Sequence, residues 1–294
     1  GGYLGAAVDV ASEFLPGGSL VVYTQGRTGK DSQLRANSNG LFRKGALAIL
    51  VDEYTASAAE IVSGAVQDHD RGIIVGRRTF GKGLVQRPVE LPDGSMIRLT
   101  VSHYYTPSGR CIQKPYVKGE KEKYNEDLNT RFTHGELMHL DSIHLDSTKV
   151  YTTLEKHRTV YGGGGIMPDI FVPLDTTSYT PYYRALSRNN LITQAALRFT
   201  DSNRKPILRR YKSFDDYLTS YAIPTSLLDD IEKEAEKKSI KPKDEAERKE
   251  AREDMAFMLK ALVAYNVWDR NEYFRIINQK NDIVKRALEE IQKP

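Results

Sequence analysis

The sequence predicts a layered α/β core followed by a separate helical domain. Strand-like and helix-like patterns alternate over the first 112 residues, which is typical of a sheet covered by helices. After Pro173 the pattern changes, and almost every periodic segment has helical spacing. The 294 residues, 39% of them hydrophobic, are enough for two globular domains. We therefore expect a core over residues 1–173 and a helical domain over residues 174–294.

The core elements follow from local periodicity and turn signals. The predicted helices are residues 3–14 and 58–69, and the predicted strands are residues 19–24, 46–51 and 72–76. A hairpin is predicted from residues 84–91 and 95–104, with Pro92-Asp93-Gly94 as its turn. Residues 25–44 are predicted to be a polar loop or ribbon, anchored by Leu34 and Leu41-Phe42.

The predicted C-terminal domain consists of amphipathic helices. The helices expected are residues 180–200, 214–221, 227–238, 243–265 and 271–291. Pro181, Pro206, Pro224 and Pro242 fall near the expected starts or breaks. This domain either packs on the core or offers a surface for a homodimer or an adaptor, and the sequence leaves both readings open.

Ser57 lies where an apolar strand is followed by an amphipathic helix, and it is a candidate nucleophile. The first N–H groups of a helix have no partner within the helix, so the N–H of Ala58 is placed to stabilise an oxyanion. Ala56, Ala58 and Ala59 are small enough to let a substrate backbone approach. The competing interpretation is that Ser57 only caps the helix, as serines at this position commonly do.

Lys82 follows Ser57 by twenty-five residues and stands between Gly81 and Gly83. A lysine whose ammonium is desolvated can accept the proton of a serine hydroxyl, so Lys82 is a candidate general base. Gln86, four residues later, offers an amide that can orient it. A solvated loop is the alternative; a phosphate-binding loop is disfavoured, because no Ser or Thr follows the lysine and a strand, not a helix, comes next.

A long ordered run of residues resembles the C-terminal processing, or tail-specific, serine peptidases. It reads ALAILVDEYTASAAEIVSGAVQDHDRGIIVGRRTFGKGLVQ over residues 46–86 and LPDGSMIRLTVSHYYTPSGRCIQ over residues 91–113. The resemblance implies that Ser57 is the nucleophile, Lys82 the base and Gln86 its support. It also implies a crotonase-like spiral of ββα units and polypeptide substrates with exposed C-termini.

The resemblance continues on both sides of this run. Gly1-Gly2 is similar to the end of a family signature whose glycine gives a second oxyanion-hole N–H, so Gly2, or Gly1, is expected in that role. Residues 163–170 are similar to the stretch that closes the family's core. Because the chain starts inside that signature and shows no PDZ-like segment, we expect an excised C-terminal part of a longer precursor.

An insertion over residues 114–161 stands where such peptidases often have only a few residues. It is polar, and we expect a helical excursion at residues 132–140 that acts as a lid. Its histidines, His134, His139, His144 and His157, match no metal-binding pattern, so neither a metal nor a cofactor is predicted.

Composition excludes other classes of function. The net charge of +4 is too small and too interleaved for nucleic-acid binding, and no apolar run reaches membrane-spanning length. The single cysteine, Cys111, rules out an internal disulfide framework. The resemblance suggests a bacterial periplasm or cell envelope. A crotonase-type acyl-CoA enzyme and an inactive scaffold remain as alternatives.

Overall fold

The computed structural model describes residues 1–26, 32–37 and 40–293. The chain divides into two compact units, one made of Gly1–Leu174 with Arg286–Pro294 and the other of Asp175–Lys285. The predicted roles of the two domains stay predictions. Within the described residues, no helix has both the length and the apolar character needed to cross a membrane.

The first unit contains strands and helices in alternation. Its helices are α1 (Leu4–Ser12), α2 (Ala58–Asp68) and α3 (Lys121–Thr133), with a short 3-10 turn at Leu140–Ser142. Its strands are β1 (Leu20–Gly26), β2 (Ser32–Arg35), β3 (Ala48–Val51), β4 (Ile73–Gly76), β5 (Leu84–Glu90), β6 (Met96–Tyr105), β7 (Val150–Thr152), β8 (Thr159–Tyr161) and β9 (Ile170–Phe171).

A parallel sheet of order β3-β4-β9 places the candidate site. Helix α2 is the crossover from β3 to β4, as a parallel pair requires. The last pair in the register is Val51 with Gly76, so both strands end at the same edge. Ser57 follows Val51 by six residues and Lys82 follows Gly76 by six, which brings both segments to that edge.

An antiparallel sheet of order β2-β1-β6-β5 forms the second layer. Strands β5 and β6 form the predicted hairpin, and Gly94 takes a left-handed φ of 81° in its turn. Part of the predicted loop over residues 25–44 is strand β2, which pairs with β1. Residues 27–31 and 38–39 of that loop lie outside the described residues. The expectation that Leu41 anchors the loop is wrong, because its side chain is 94% exposed.

A single apolar core joins these layers in the first unit. Helices α1 and α2 pack on the sheets through small and branched residues, and the fully buried side chains of this apolar cluster are aliphatic. The members of this cluster with no more than 2% exposure are Ala11, Leu15, Val21, Val22, Val51, Ile61, Ala65, Val66, Ile74, Ile112 and Ile166.

The insertion differs from the prediction in the position of its helix. The expected helix at residues 132–140 is wrong, since α3 ends at Thr133 and turns follow it. The residue that α3 buries is Arg131, a charged side chain, so no apolar stripe marks the helix in the sequence. Strands β7 and β8 form a hairpin that was not predicted.

The second unit is helical, with α10 extending from it into the C-terminal residues assigned to the first unit. The helices are α4 (Pro181–Arg188), α5 (Leu191–Arg210), α6 (Phe214–Ser220), α7 (Thr225–Lys237), α8 (Glu245–Val267), α9 (Arg270–Ile277) and α10 (Asp282–Ile291). Two apolar clusters fill the unit, one around Leu186, Met255 and Leu259 and the other around Tyr217, Val263 and Ile276.

Three helix predictions in this part of the chain are wrong in detail. The segment 180–200 contains a break, because Asn190 adopts a left-handed φ of 56° before α5. The segment 271–291 is also two helices, since the side chain of Asn281 accepts N–H groups of Ile283 and Val284 and starts α10. Pro206 lies inside α5 and does not end it.

Candidate active site

Ser57 occupies the N-cap of α2 in a strained backbone conformation. Its φ of 59° and ψ of −119° lie in a region that non-glycine residues rarely occupy. The next residue, Ala58, begins the helix, and its backbone N–H is among those at the positive end of the helix dipole. The structure thus places Ser57 at the helix cap, and its role as the nucleophile stays a prediction.

Lys82 lies in a segment held close to Ser57 by main-chain contacts. The N–H of Phe80 donates to the carbonyl of Thr55 at 2.9 Å, which joins the lysine segment to the serine segment directly. The Lys82 side chain is half-buried, whereas Gly81 and Gly83 on either side of it are buried. Gly81 takes a φ of 83°, and a Cβ there would come within 3.0 Å of the Gly165 nitrogen.

The carboxylate of Glu60 joins these two segments. One oxygen, Oε2, accepts the N–H of Ser57 at 2.8 Å and also the N–H of Lys82 at 2.8 Å. The other, Oε1, accepts the N–H of Gly81 at 2.7 Å and the hydroxyl of Thr79 at 2.5 Å. A carboxylate has about four acceptor positions, and Glu60 uses three on backbone N–H groups of the two segments that carry the candidate dyad and one on the Thr79 hydroxyl.

Glu60 is fully buried, at 0% exposure. Burial raises the pKa of this carboxyl above its ordinary value, while the hydrogen bonds from Thr79, Lys82, Gly81 and Ser57 oppose the rise. Glu60 was not among the site residues predicted from the sequence. The signal that would have identified part of its role is the capping-box spacing, a glutamate three residues after an N-cap serine.

Gly2 lies beside Ala58, as an oxyanion hole shared by the two residues would require. A Cβ built on Gly2 would be 3.7 Å from the Ala58 Cβ. Both residues line the same open groove, whose volume is about 470 Å³, together with Thr55 and Ala59. The role of either N–H in catalysis stays a prediction.

Gln86 lies apart from the contacts described so far. It is exposed on β5, next to a β-bulge, and its amide nitrogen is 3.5 Å from the Thr100 hydroxyl. Its support of Lys82 stays a prediction. A different glutamine, Gln113, contacts the lysine segment: its side-chain oxygen accepts the N–H of Gly83 at 3.0 Å.

Behind the lysine segment lies a buried cluster of two arginines and one glutamate. Glu136 accepts from Arg78 at 2.6 Å and 2.8 Å and from Arg131 at 2.7 Å. Burial alone would raise the pKa of Glu136, but the hydrogen bonds and charges of the two arginines hold it below its ordinary value of 4.5.

The depressed pKa of Glu136 predicts a loss of stability in acid. Its contribution is fully present above pH 4.5 and is lost as the pH falls through the lower value of the folded state. The variant Glu136→Gln should be less stable than the parent at pH 7. The difference in free energy of unfolding between the two proteins should narrow as the pH falls below 4.5. Urea unfolding over this pH range measures the gap.

Glu126, an exposed glutamate of α3, provides the matched control. The variant Glu126→Gln should follow the parent at every pH. A gap for Glu136→Gln that stays constant or widens in acid would contradict the prediction.

The structure brings the Ser57 and Lys82 segments together, and a serine–lysine dyad stays a prediction. Residues 1–121 match the model of peptidase family S41. The resemblance of this part of the chain to C-terminal processing peptidases is confirmed. Residues 182–269 match a family of unknown function (DUF8443).

Individual relatives carry names of the same kind. A carboxyl-terminal-processing protease of Synechocystis is 45% identical over 114 residues, which are 39% of this chain and 26% of that protein. The chloroplastic C-terminal processing peptidase of Tetradesmus obliquus is 42% identical over 130 residues, 44% of this chain and 28% of that protein. The chain therefore spans between a quarter and a third of the length of these two relatives.

Among solved structures, the photosystem II D1 C-terminal processing protease is similar to this chain. The identity is 28% and the TM-score is 0.40, with 59% of this chain and 32% of that chain covered.

Proposed function

We propose that this chain carries the catalytic centre of a serine-type endopeptidase that cleaves polypeptides near or from their C-termini. One observation carries the proposal: the Glu60 carboxylate accepts the backbone N–H groups of both Ser57 and Lys82 on one oxygen. A buried carboxylate shared in this way fixes the two segments against each other, and a two-residue catalytic centre needs such fixed positions.

In the proposed reaction, Ser57 Oγ attacks the scissile carbonyl while the neutral amine of Lys82 takes the hydroxyl proton. The N–H groups of Ala58 and Gly2 stabilise the oxyanion that forms. The intermediate collapses to an ester on Ser57, and Lys82 gives its proton to the leaving amine. Water then attacks the ester while Lys82 takes its proton, the bond between the acyl carbon and Ser57 Oγ breaks, and Lys82 returns the proton to Oγ as the product with its new C-terminal carboxyl group leaves. Gln86 is proposed to orient Lys82.

The wider setting of this site is also proposed from the resemblance. The relatives are named for C-terminal processing, which supports polypeptide substrates with exposed C-termini. The parallel β3-β4-β9 sheet with α2 as its crossover is compatible with the crotonase-like spiral of ββα units. A periplasmic or cell-envelope location and a dimer or adaptor contact through the helical unit stay predictions.

Substitution of the dyad tests the function. Ser57→Ala and Lys82→Ala should each lower kcat/KM for hydrolysis of casein by at least about a thousandfold, because each removes a group that acts in the chemical step. The exposed residues Ser226 and Lys118 serve as controls, and Ser226→Ala and Lys118→Ala should hydrolyse casein at the parent rate. Unchanged hydrolysis in either dyad variant, with the fold verified by circular dichroism, would refute the proposed mechanism.

A further inference from the structure

A buried arginine of the insertion contacts the segment that precedes Lys82. Arg131, in the last turn of α3, is 4% exposed. Its guanidinium donates to the carbonyl of Arg78 at 2.6 Å and to the carbonyl of Thr79 at 3.1 Å. The two residues lie four and three positions before Lys82, respectively. Arg131 therefore fixes the main chain where it approaches the candidate base.

A second contact from the insertion reaches the same segment. The ammonium of Lys114 lies 4.1 Å from the centre of the Phe80 ring and 4.2 Å from the centre of the Tyr124 ring. Its nitrogen also donates to Asp127 of α3 at 2.9 Å, and the Lys114 N–H donates to the carbonyl of Gly81 at 2.9 Å. Lys114 therefore links α3 to two consecutive residues of the lysine segment, Phe80 and Gly81.

These contacts are polar and charged. They fix the position of residues 78–81 and bury little apolar surface. Arg131 is the residue that α3 buries, and burying a guanidinium costs free energy that its ion pair with Glu136 offsets only in part. The match to the peptidase family ends at residue 121, where α3 begins. An arginine on this added helix satisfies carbonyls of the family segment.

We propose that α3 is a positioning element for the candidate base, and that Arg131 is its principal positioning residue. It acts through the backbone of Arg78 and Thr79 on the segment Phe80-Gly81-Lys82 and does not touch the substrate. The kinetic consequence rests on the proposed peptidase function; the structural consequence does not.

The kinetic test compares variants of Arg131 in the full chain. Arg131→Met should lower kcat for casein hydrolysis by about 10- to 100-fold with KM within about twofold, since displacement of a catalytic group mainly slows the chemical step. Arg131→Lys keeps one donor group and should fall between the parent and Arg131→Met. An unchanged kcat in folded Arg131→Met, measured in an active parent enzyme, would overturn the proposal.

Arg158 supplies the control, because it is an ion-paired arginine that holds Asp70 and Asp169, is 34% exposed, and has no described contact with residues 78–83. Arg158→Met should lose stability and keep the parent kcat at temperatures where it is folded. An equal loss of kcat in both arginine variants would mean that Arg131 acts only through stability, which overturns the proposal.

Hydrogen exchange separates this proposal from the proposed function. The backbone amides of residues 79–83 should exchange at least about tenfold faster in Arg131→Met than in the parent and remain protected in Arg158→Met. If the parent hydrolyses nothing but the exchange differs as stated, the peptidase function fails and the positioning role is supported. If exchange in this segment is unchanged in Arg131→Met, or in Arg131→Lys where the methionine variant does not fold, the positioning role is refuted.

Discussion

Replacement of Glu60 by glutamine is expected to lower the free energy of unfolding by about 3–6 kcal/mol and to lower kcat by at least about a hundredfold. The amide keeps the size of the side chain but turns two acceptor positions into donors, so at least two of the four buried donors lose their partner. Each loss of a charge-assisted bond costs about 1.5–3 kcal/mol. The expected fall in kcat rests on the proposed function, in which Ser57 and Lys82 form the dyad and must be held together.

Urea unfolding and casein hydrolysis measure the two effects separately. Glu232 is the matched control, because it is a buried glutamate of the helical unit that accepts from Arg248 and Arg252. Glu232→Gln should lose stability but keep the parent kcat. Glu60→Gln that retains full activity would show that its carboxylate does not position the dyad.

The second large effect is expected at the ion pair between Asp68 and Arg110. The side chains are 0% and 1% exposed, and their charged atoms are 2.6 Å apart. Among the described residues, Asp68→Ala leaves the buried guanidinium with the amide oxygen of Gln67 and the carbonyl of Tyr161 as acceptors. It also removes the acceptor of the Ser108 N–H. Breaking one side of a buried pair costs about 3–5 kcal/mol, so we expect a loss of that size.

Removal of both charges together should cost less than removal of the carboxylate alone. In Asp68→Leu with Arg110→Met, no charge is left without a partner, and stability should recover by at least about 1 kcal/mol relative to Asp68→Ala. The midpoint of urea unfolding for the three proteins measures the difference. A double variant that is less stable than Asp68→Ala would contradict this expectation. It would mean that the unpaired Arg110 charge is not the main cost of Asp68→Ala.

The sequence predicts the elements around the site well because their signals are local. Strand β3 and helix α2 have clear periodicity, and the observed bounds, Ala48–Val51 and Ala58–Asp68, lie within two residues of those predicted. The helix of the insertion was misplaced because its buried face carries an arginine, which no hydrophobic pattern marks. The break at Asn190 depends on a left-handed backbone conformation that periodicity does not reveal.

The candidate site divides in the same way. Ser57 and Lys82 stand in motifs that are contiguous in sequence, so the resemblance implies a role for each of them. Glu60 as the link between them, Gln113 at Gly83 and Arg131 behind Thr79 depend on contacts between segments twenty or more residues apart. Such contacts exist only once the chain has folded, and no spacing rule indicates them.

The hydrogen bonds of Glu60 do not depend on the side chains of the candidate dyad. It binds main-chain N–H groups, which every residue except proline retains, and not the hydroxyl of Ser57 or the ammonium of Lys82. A chain with alanine at position 57 or 82 therefore keeps the hydrogen bonds between Glu60 and the two segments. On the proposed function, such a variant is expected to bind a polypeptide substrate without cleaving it, and it could then be used to isolate the substrates.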